Sequence, residues 1–235
     1  MTYLLYLFGF LPSIIWLIFY LRKDAHPESN KMILKIFFLG MLGAILAIFL
    51  EKGFQKASFL LTASPNVDSI LILFLGGALI EEYIKYLVVR VGVFGTSELD
   101  EPPDLLLYMI ISALGFASLE NILVLTNYHP ILNVAKVLEV VTYRFVSATF
   151  LHALCSGILG YFLAVSLLYP KKRIKMFFIG LGAATFLLGL YNCSIMKVGG
   201  MLKFVLPLLI LIGLSSFVSF EFRKLKRLKG ICHIA

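Results

Sequence analysis

The fold is decided by residues 105–126, which read LLLYMIISALGFASLENILVLT. No residue of this run is charged except Glu120. About 20 apolar residues in helical form cross the hydrocarbon core of a bilayer, which is about 30 Å thick. The run therefore predicts a transmembrane helix. A charged group inside such a helix costs at least about 2.5–3.5 kcal/mol on insertion scales, so Glu120 indicates a function or a partner.

Apolar runs of similar length follow one another along the whole chain. The others cover residues 3–21, 33–50, 70–89, about 140–169, 176–193 and 204–220. The chain is 60% hydrophobic and 14% charged, whereas soluble domains are about 45–50% apolar and about 25% charged. A water-soluble fold is therefore excluded. We predict an all-α fold, a polytopic membrane bundle of about seven transmembrane helices in a single domain over residues 1–235.

The net charge of +8 lies in short loops and a tail beside the apolar runs. This placement is typical of the positive-inside rule and of contact with anionic lipids, and it does not favour nucleic-acid binding. The connections on one side hold Arg22, Lys23, Lys31, Arg90, Lys171, Lys172, Arg173, Lys175, Arg223, Lys224, Lys226, Arg227 and Lys229. Those on the other side hold Lys52, Lys56, Lys136, Lys197 and Lys203. We therefore predict a multi-pass protein of the cell membrane, with its N-terminus outside and its C-terminus in the cytoplasm.

The third apolar run carries three ionisable residues, Glu81, Glu82 and Lys85. On a helix Glu81 and Lys85 share a face at i,i+4, and Glu82 is within reach of Lys85 at i,i+3. An intrahelical ion pair that neutralises itself would account for one carboxylate and leave the other over. The second carboxylate therefore favours a functional site.

Further candidates lie in the next three runs. Glu120 follows the small residues of Gly115-Phe-Ala-Ser, which allow close helix approach and suit an acid that faces the bundle interior. The alternative is that Glu120 reaches toward the outer interface. His152 lies in the middle of the fifth run, eight residues after Arg144, and its alternative is a packed core histidine. Asn192 ends the sixth run, where helix capping would also explain it.

Carboxylates and an imidazole that converge within a bilayer can relay protons, bind a metal or activate water against a carbonyl. In the last case one of Glu81 or Glu82 would be the general base, with His152 as its electrostatic partner. Asn192 would then be a candidate donor to the developing oxyanion. This is the arrangement that peptide hydrolysis requires.

A metal offers a second route to the same chemistry. If Glu81 or Glu82 ligates a cation together with Glu120 and His152, these oxygen and nitrogen atoms would suit Zn²⁺ or a similar divalent ion, which would polarise water. Lys85 and Arg144 would then hold the carboxylates in place. The spacing does not match the H-E-x-x-H zinc pattern, and the cysteines form no C-x-x-C pair. Both routes therefore stay open.

Several motifs follow one another in order along the chain. They are Pro12, Trp16 and Tyr20, then Asp24 and Pro27-Glu28, then Glu81-Glu82-Tyr83-Ile84-Lys85 as E-E-x-x-K, Asp104 to Tyr108, Gly115-Phe116-Ala117-Ser118-Leu119-Glu120-Asn121 as G-F-A-x-x-E-N, Arg144, His152-Ala153 and Gly160-Tyr161. In order, spacing and placement these residues resemble the PrsW family of intramembrane proteases, which is distantly similar to CAAX-prenyl endopeptidases and bacteriocin-processing membrane enzymes. The resemblance covers nearly the whole chain. It implies an intramembrane endopeptidase that cleaves a single-span membrane regulator, typically an anti-sigma factor, as the first cut in signalling across the envelope. By the predicted topology, the acidic and histidine positions favour the mid to outer half of the bilayer, which suits an external-side cut.

One position departs from that resemblance. Family members often have a histidine just before the Gly-x-Tyr/Phe-Asp/Asn element of the sixth span, and this chain has Leu188 there. Any ligand or donor role of that histidine is absent, which keeps a catalytically inactive, partner-binding membrane protein open as an alternative. A proton- or ion-coupled transporter is another, because acidic and histidine side chains in spans also mark translocation pathways. Against it, the chain has no repeated half.

Overall fold

The computed structural model describes residues 2–24, 26–61, 70, 72–127 and 134–228, and these residues form seven helices and no strand. The helices are α1 (Thr2–Leu21), α2 (Asn30–Leu61), α3 (Ile72–Leu79, continued by Ile80–Gly92), α4 (Pro102–Asn127), α5 (Val134–Leu168), α6 (Arg173–Lys197, preceded by the short 3-10 turn Pro170–Lys172) and α7 (Leu202–Leu228). The predicted all-α fold class is confirmed. Lys229 and Cys232 lie outside the described residues.

Five of these helices, α2, α4, α5, α6 and α7, are long and apolar enough to cross a membrane by length and composition. Helix α1 adds a shorter apolar segment, Leu5–Leu21. Helix α3 carries Glu81, Glu82, Lys85 and Arg90, and four charges in so short a helix lower its hydropathy. The chain is a multi-pass membrane protein, and its charged helix is the exception that needs a function.

Helix α4 is the central helix, and it packs against α1, α2 and α5. All of its residues from Pro102 to Ser118 are buried. Glycines let two neighbours reach its backbone: a Cβ at Gly115 would lie 2.0 Å from the carbonyl oxygen of Phe37 on α2. A Cβ at Gly160 on α5 would lie 2.6 Å from the Cα of Leu106 on α4. These crossings hold α2 and α5 on opposite parts of one buried helix.

Two helices contain π-helical turns next to candidate site residues. In α3 the segment Ile72–Leu79 ends just before Glu81. In α5 the segment Phe145–Thr149 lies between Arg144 and His152. π-helical turns are rare and occur frequently at functional sites. They shift the angular position of later side chains around the helix axis. An ideal α-helix therefore does not predict which way Glu81 and His152 point.

Candidate active site

Three helices bring five ionisable side chains together. Glu81, Glu82 and Lys85 come from α3, Glu120 comes from α4 and His152 comes from α5. We call these five residues the polar cluster. Because they belong to separate helices, their convergence depends on helix packing and not on sequence spacing alone.

Lys85 lies at the centre of the polar cluster and is fully buried. Its Nζ lies 2.8 Å from Glu82 Oε1, 3.3 Å from Glu81 Oε2 and 2.8 Å from His152 Nδ1. The ammonium also lies over the Phe116 ring, 4.4 Å from its centroid. Because a lysine ammonium has only donors, Nδ1 of His152 accepts, and we assign the proton of the imidazole to Nε2. Lys85 thereby fixes the tautomer of His152.

The other side of the imidazole binds Glu120. His152 Nε2 lies 2.9 Å from Glu120 Oε2, and Arg144 Nη2 lies 3.4 Å from the same oxygen. Arg144 also donates from Nε to Asn121 Oδ1. Asn121 in turn donates to Thr149 Oγ1 at 3.0 Å. This chain of bonds ties α4 to α5 and fixes the direction of the Glu120 carboxylate.

The two adjacent glutamates of α3 have different surroundings. Glu82 is fully buried, and its two oxygens are taken by Lys85 and by Ser156 Oγ, the latter at 2.8 Å. Glu81 has its Oε2 3.6 Å from His152 Nδ1 and keeps 10% of its side chain exposed. Glu120 keeps 28% exposed. Glu81 and Glu120 are therefore the accessible carboxylates of the cluster, while Glu82 is held in place.

Three of these residues fit a metal ion. One ligand atom each from Glu81, Glu120 and His152 lies within 4.8 Å of the others. Two carboxylates and an imidazole are a donor set that Zn²⁺ accepts, and three protein ligands leave a fourth position for water. The sequence left Glu81 and Glu82 open as the carboxylate of this set; in the structure Glu81 has the oxygen close to Glu120 and His152, while Glu82 is bound by Lys85 and Ser156.

Two residues of the sixth helix lie apart from the polar cluster. Asn192 is half-buried and takes no part in the described hydrogen bonds of the cluster, so its role as an oxyanion donor stays a prediction. Leu188 is buried in the main hydrophobic core. Leu188 thus contributes packing in this chain.

One acidic residue near the site was missed in the sequence. Helix α2 continues past residue 50, where the apolar run ends, and includes Glu51. Ala47 and Phe54, about one turn to either side, pack toward α3, so Glu51 lies on the same face. It is half-buried and close enough to Glu81 and Glu120 for their charges to act on it. The helical spacing from Ala47 was the signal that could have found it.

Comparison with known proteins adds an independent result. The model of a family described as PrsW family intramembrane metalloprotease matches residues 28–219, which include the whole polar cluster. The chain is 32% identical to Protease PrsW of Geobacillus kaustophilus over 174 residues, 74% of this chain and 71% of that protein. It is 26% identical to Protease PrsW of Bacillus subtilis over 228 residues, 95% of this chain and 94% of that protein. No solved structure matches the chain.

Proposed function

The chain belongs to the PrsW family of intramembrane metalloproteases, and on this basis we propose that its polar cluster hydrolyses a peptide bond of a single-span membrane protein. The family resemblance seen in the motifs is confirmed, and the chain is a hydrolase of the membrane. We further propose that residues 1–235 act as one catalytic domain.

A single observation carries the site assignment. Glu81, Glu120 and His152 come from three separate helices, and their ligand atoms lie within 4.8 Å of one another. Each ionisable group inside a bilayer costs free energy, so the stability of the bundle alone does not explain why several of them lie together. Their convergence is what water activation or metal binding requires.

We assign a separate role to each residue of the cluster. Glu81 acts as the general base for water, because its carboxylate is partly exposed and that of Glu82 has both oxygens bound. His152 and Glu120 are the electrostatic partners of Glu81. Lys85 and Glu82 are positioning residues, since Lys85 sets the tautomer of His152. Arg144 positions Glu120.

A divalent ion would occupy the same place. Glu81, Glu120 and His152 would hold it, and a bound Zn²⁺ would supply polarisation of water and of the scissile carbonyl. The family description as a metalloprotease supports this route. Metal analysis of the purified protein, compared between wild type and His152→Ala, measures it directly.

We propose that the substrate is an anti-sigma factor or a similar single-span regulator, cut near the external face. The substrate class follows from the family resemblance. The position of the cut is supported by Glu120, which is about 10 Å from Asn127 and about 27 Å from Pro102 at 1.5 Å per residue. In the orientation predicted from the basic loops, with the N-terminus outside, Asn127 is at the outer end of α4.

Co-expression with a tagged single-span candidate substrate tests the function. We expect Glu81→Gln, Glu120→Gln and His152→Ala each to lower cleavage by at least about 100-fold, because each removes a group that moves or stabilises charge. Glu139→Gln, at an exposed glutamate of α5, is the control and should cleave as wild type. The assignment fails if Glu81→Gln, Glu82→Gln and His152→Ala all leave cleavage intact.

The same preparation distinguishes the two rival functions. A partner that co-purifies uncut, with binding unchanged by Glu→Asp substitutions in the cluster, would show a binding protein without catalysis. Ion-dependent uptake into proteoliposomes without peptide products would show a transporter. Either outcome would replace the protease proposal.

A further inference from the structure

A cleft lies between the C-terminal end of α1 and the C-terminal half of α7. Six residues line it, Tyr20 and Lys23 from α1 and Val218, Ser219, Phe222 and Arg223 from α7, and its volume is about 400 Å³. We call it the α1–α7 cleft. Helix α1 packs on α4, and α7 packs chiefly on α5 and α6, so the cleft opens between two helices that have other partners.

The lining of this cleft is divided by chemistry. Tyr20, Val218 and Phe222 form an apolar wall and are at most 5% exposed. Lys23 and Arg223 supply two cationic groups, one from each helix. No acidic residue is among the lining residues. The cleft therefore combines positive charge with apolar surface at the boundary of the bilayer.

The two cationic groups are held in place at the cleft. The Lys23 ammonium lies over the Phe19 ring, 4.3 Å from its centroid. Arg223 Nε donates to the backbone carbonyl of Ser219 at 3.2 Å, one turn back on α7. Glu221, the nearest acid along α7, lies 3.5 Å from Lys224. Both cations are thus pre-positioned, and Glu221 does not line the cleft.

The surroundings match an anionic lipid. In sequence, residues 223–229 include Arg223, Lys224, Lys226, Arg227 and Lys229, which belong to the group of connections predicted to hold most of the basic residues. Basic pockets between transmembrane helices on the cytoplasmic side bind anionic headgroups. We propose that the α1–α7 cleft binds an anionic glycerophospholipid, with its phosphate at Lys23 and Arg223 and an acyl chain along Val218 and Phe222. Inorganic phosphate could bind the two cations but would make no contact with the apolar wall, which favours a lipid.

The site is separate from the polar cluster. Its lining residues belong to α1 and α7, whereas Glu81, Glu120 and His152 lie on α3, α4 and α5. A bound lipid would join two helices that pack on different neighbours, and it would stabilise the folded protein. The proposal is therefore independent of protease activity.

Lipid binding by the full chain, purified in detergent, tests the proposal. Phosphatidylglycerol, phosphatidylcholine and inorganic phosphate are titrated separately, with bound lipid measured by native mass spectrometry and stability by the unfolding temperature. We expect phosphatidylglycerol to bind and raise the unfolding temperature, and the two other probes to have little effect. Equal effects of phosphatidylcholine would overturn the anionic requirement, and equal effects of inorganic phosphate would overturn the lipid.

Variants distinguish lipid binding in the cleft from lipid binding to basic residues elsewhere on the surface. Lys23→Gln with Arg223→Gln should weaken phosphatidylglycerol binding about 30-fold, since each basic residue near the surface contributes roughly a factor of five. Ser219→Trp fills the cleft and keeps both charges, and it should weaken binding too. Lys171→Gln with Lys172→Gln, the matched control on the same membrane surface, should bind as wild type. The proposal is wrong if the control loses as much binding as the cleft variant, or if the cleft variant loses none.

Discussion

At the scale of single residues, one lysine organises the site. Lys85 contacts Glu81, Glu82 and His152 within 3.3 Å and has no exposed surface. A buried charge is tolerated only with close partners, and removal of one partner leaves the others uncompensated. Lys85 therefore compensates the buried carboxylates and orients the imidazole of His152.

Lys85→Met should lower the free energy of unfolding by about 3–5 kcal/mol, because Glu82 would remain as a buried, unpaired carboxylate. Adding Glu82→Gln should recover most of that loss, since the second charge is then removed as well. Cleavage should stay lost in the double variant, because His152 Nδ1 no longer faces a donor. Denaturant unfolding in detergent micelles and the substrate assay measure the two effects.

The matched control is another i,i+3 pair. Lys136 and Glu139 lie 2.6 Å apart on α5 with more than half of each side chain exposed. Exposed ion pairs contribute about 0–1 kcal/mol, so Lys136→Met should hardly change stability. If Lys85→Met cost no more than Lys136→Met, the central role of Lys85 would be refuted.

At the scale of helices, the α2–α4 crossing depends on glycine. A Cβ at Gly115 would lie 2.0 Å from a backbone oxygen of α2, and one at Gly40 would lie 2.2 Å from the carbonyl oxygen of Ser112. Backbone cannot move aside as a flexible side chain can. The glycine of the G-F-A-x-x-E-N motif is therefore explained by packing, even though the motif ends in a site residue.

Gly115→Ala should destabilise the protein by about 1–3 kcal/mol, because the two helices must separate to admit the methyl group. Cleavage should fall as well, since α4 carries Glu120. Gly53→Ala on α2 and Gly182→Ala on α6 are controls, as a Cβ at either position meets nothing within 4 Å. The unfolding temperature should drop only for Gly115→Ala, and an equal drop in the controls would contradict the packing argument.

The connection between α1 and α2 carries a pH-dependent contact. Glu28 is half-buried and accepts a hydrogen bond from Tyr108 Oη on α4. Burial raises the pKa of Glu28; the hydrogen bond from Tyr108 opposes this shift, and the negative charge of Asp24 adds to it. The folded protein thus holds this proton more tightly than the unfolded chain does.

Stability should therefore fall as the pH rises above the ordinary glutamate pKa of about 4.3, and the loss is complete above the raised pKa. Glu28→Gln, which does not titrate, should lose less stability over that range than wild type. Glu139→Gln, at an exposed glutamate, is the control variant. Unfolding temperatures measured from pH 4.5 to 8 give the comparison, and parallel curves for wild type and Glu28→Gln would contradict the prediction.

At the scale of the whole molecule, the seven helices set the topology. The C-terminal end of α1 and the C-terminal half of α7 line the same cleft, so both helices run in the same direction, as the predicted topology of seven spans requires. The distribution of basic residues then predicts that their C-terminal ends are cytoplasmic.

Single cysteines at Lys172 and Gly199 test that orientation, because these residues flank the two ends of α6. In a background without the native cysteines, a membrane-impermeant maleimide should label position 199 in intact cells and position 172 only after permeabilisation. Labelling of both positions from the same side would refute the topology, and the reverse pattern would invert it.

The sequence by itself determined the fold class, the membrane location and the family. Apolar runs of span length and the charges within them can be read from local composition. The motifs can be read from residue order, which does not depend on helix packing. It also supplied the residues of the polar cluster, since any ionisable group inside a span is costly enough to notice. Their catalytic roles stay proposals.

Only the tertiary structure decided which residues meet. The π-helical turns and the glycine crossings set how each helix is rotated, and no local pattern reports rotation. For that reason Glu81, and not Glu82, has its carboxylate oxygen close to the ligand atoms of Glu120 and His152. Glu51 lies near them as well. Contacts between helices distant in the sequence depend on the packing of the whole bundle, so they could be found only in three dimensions.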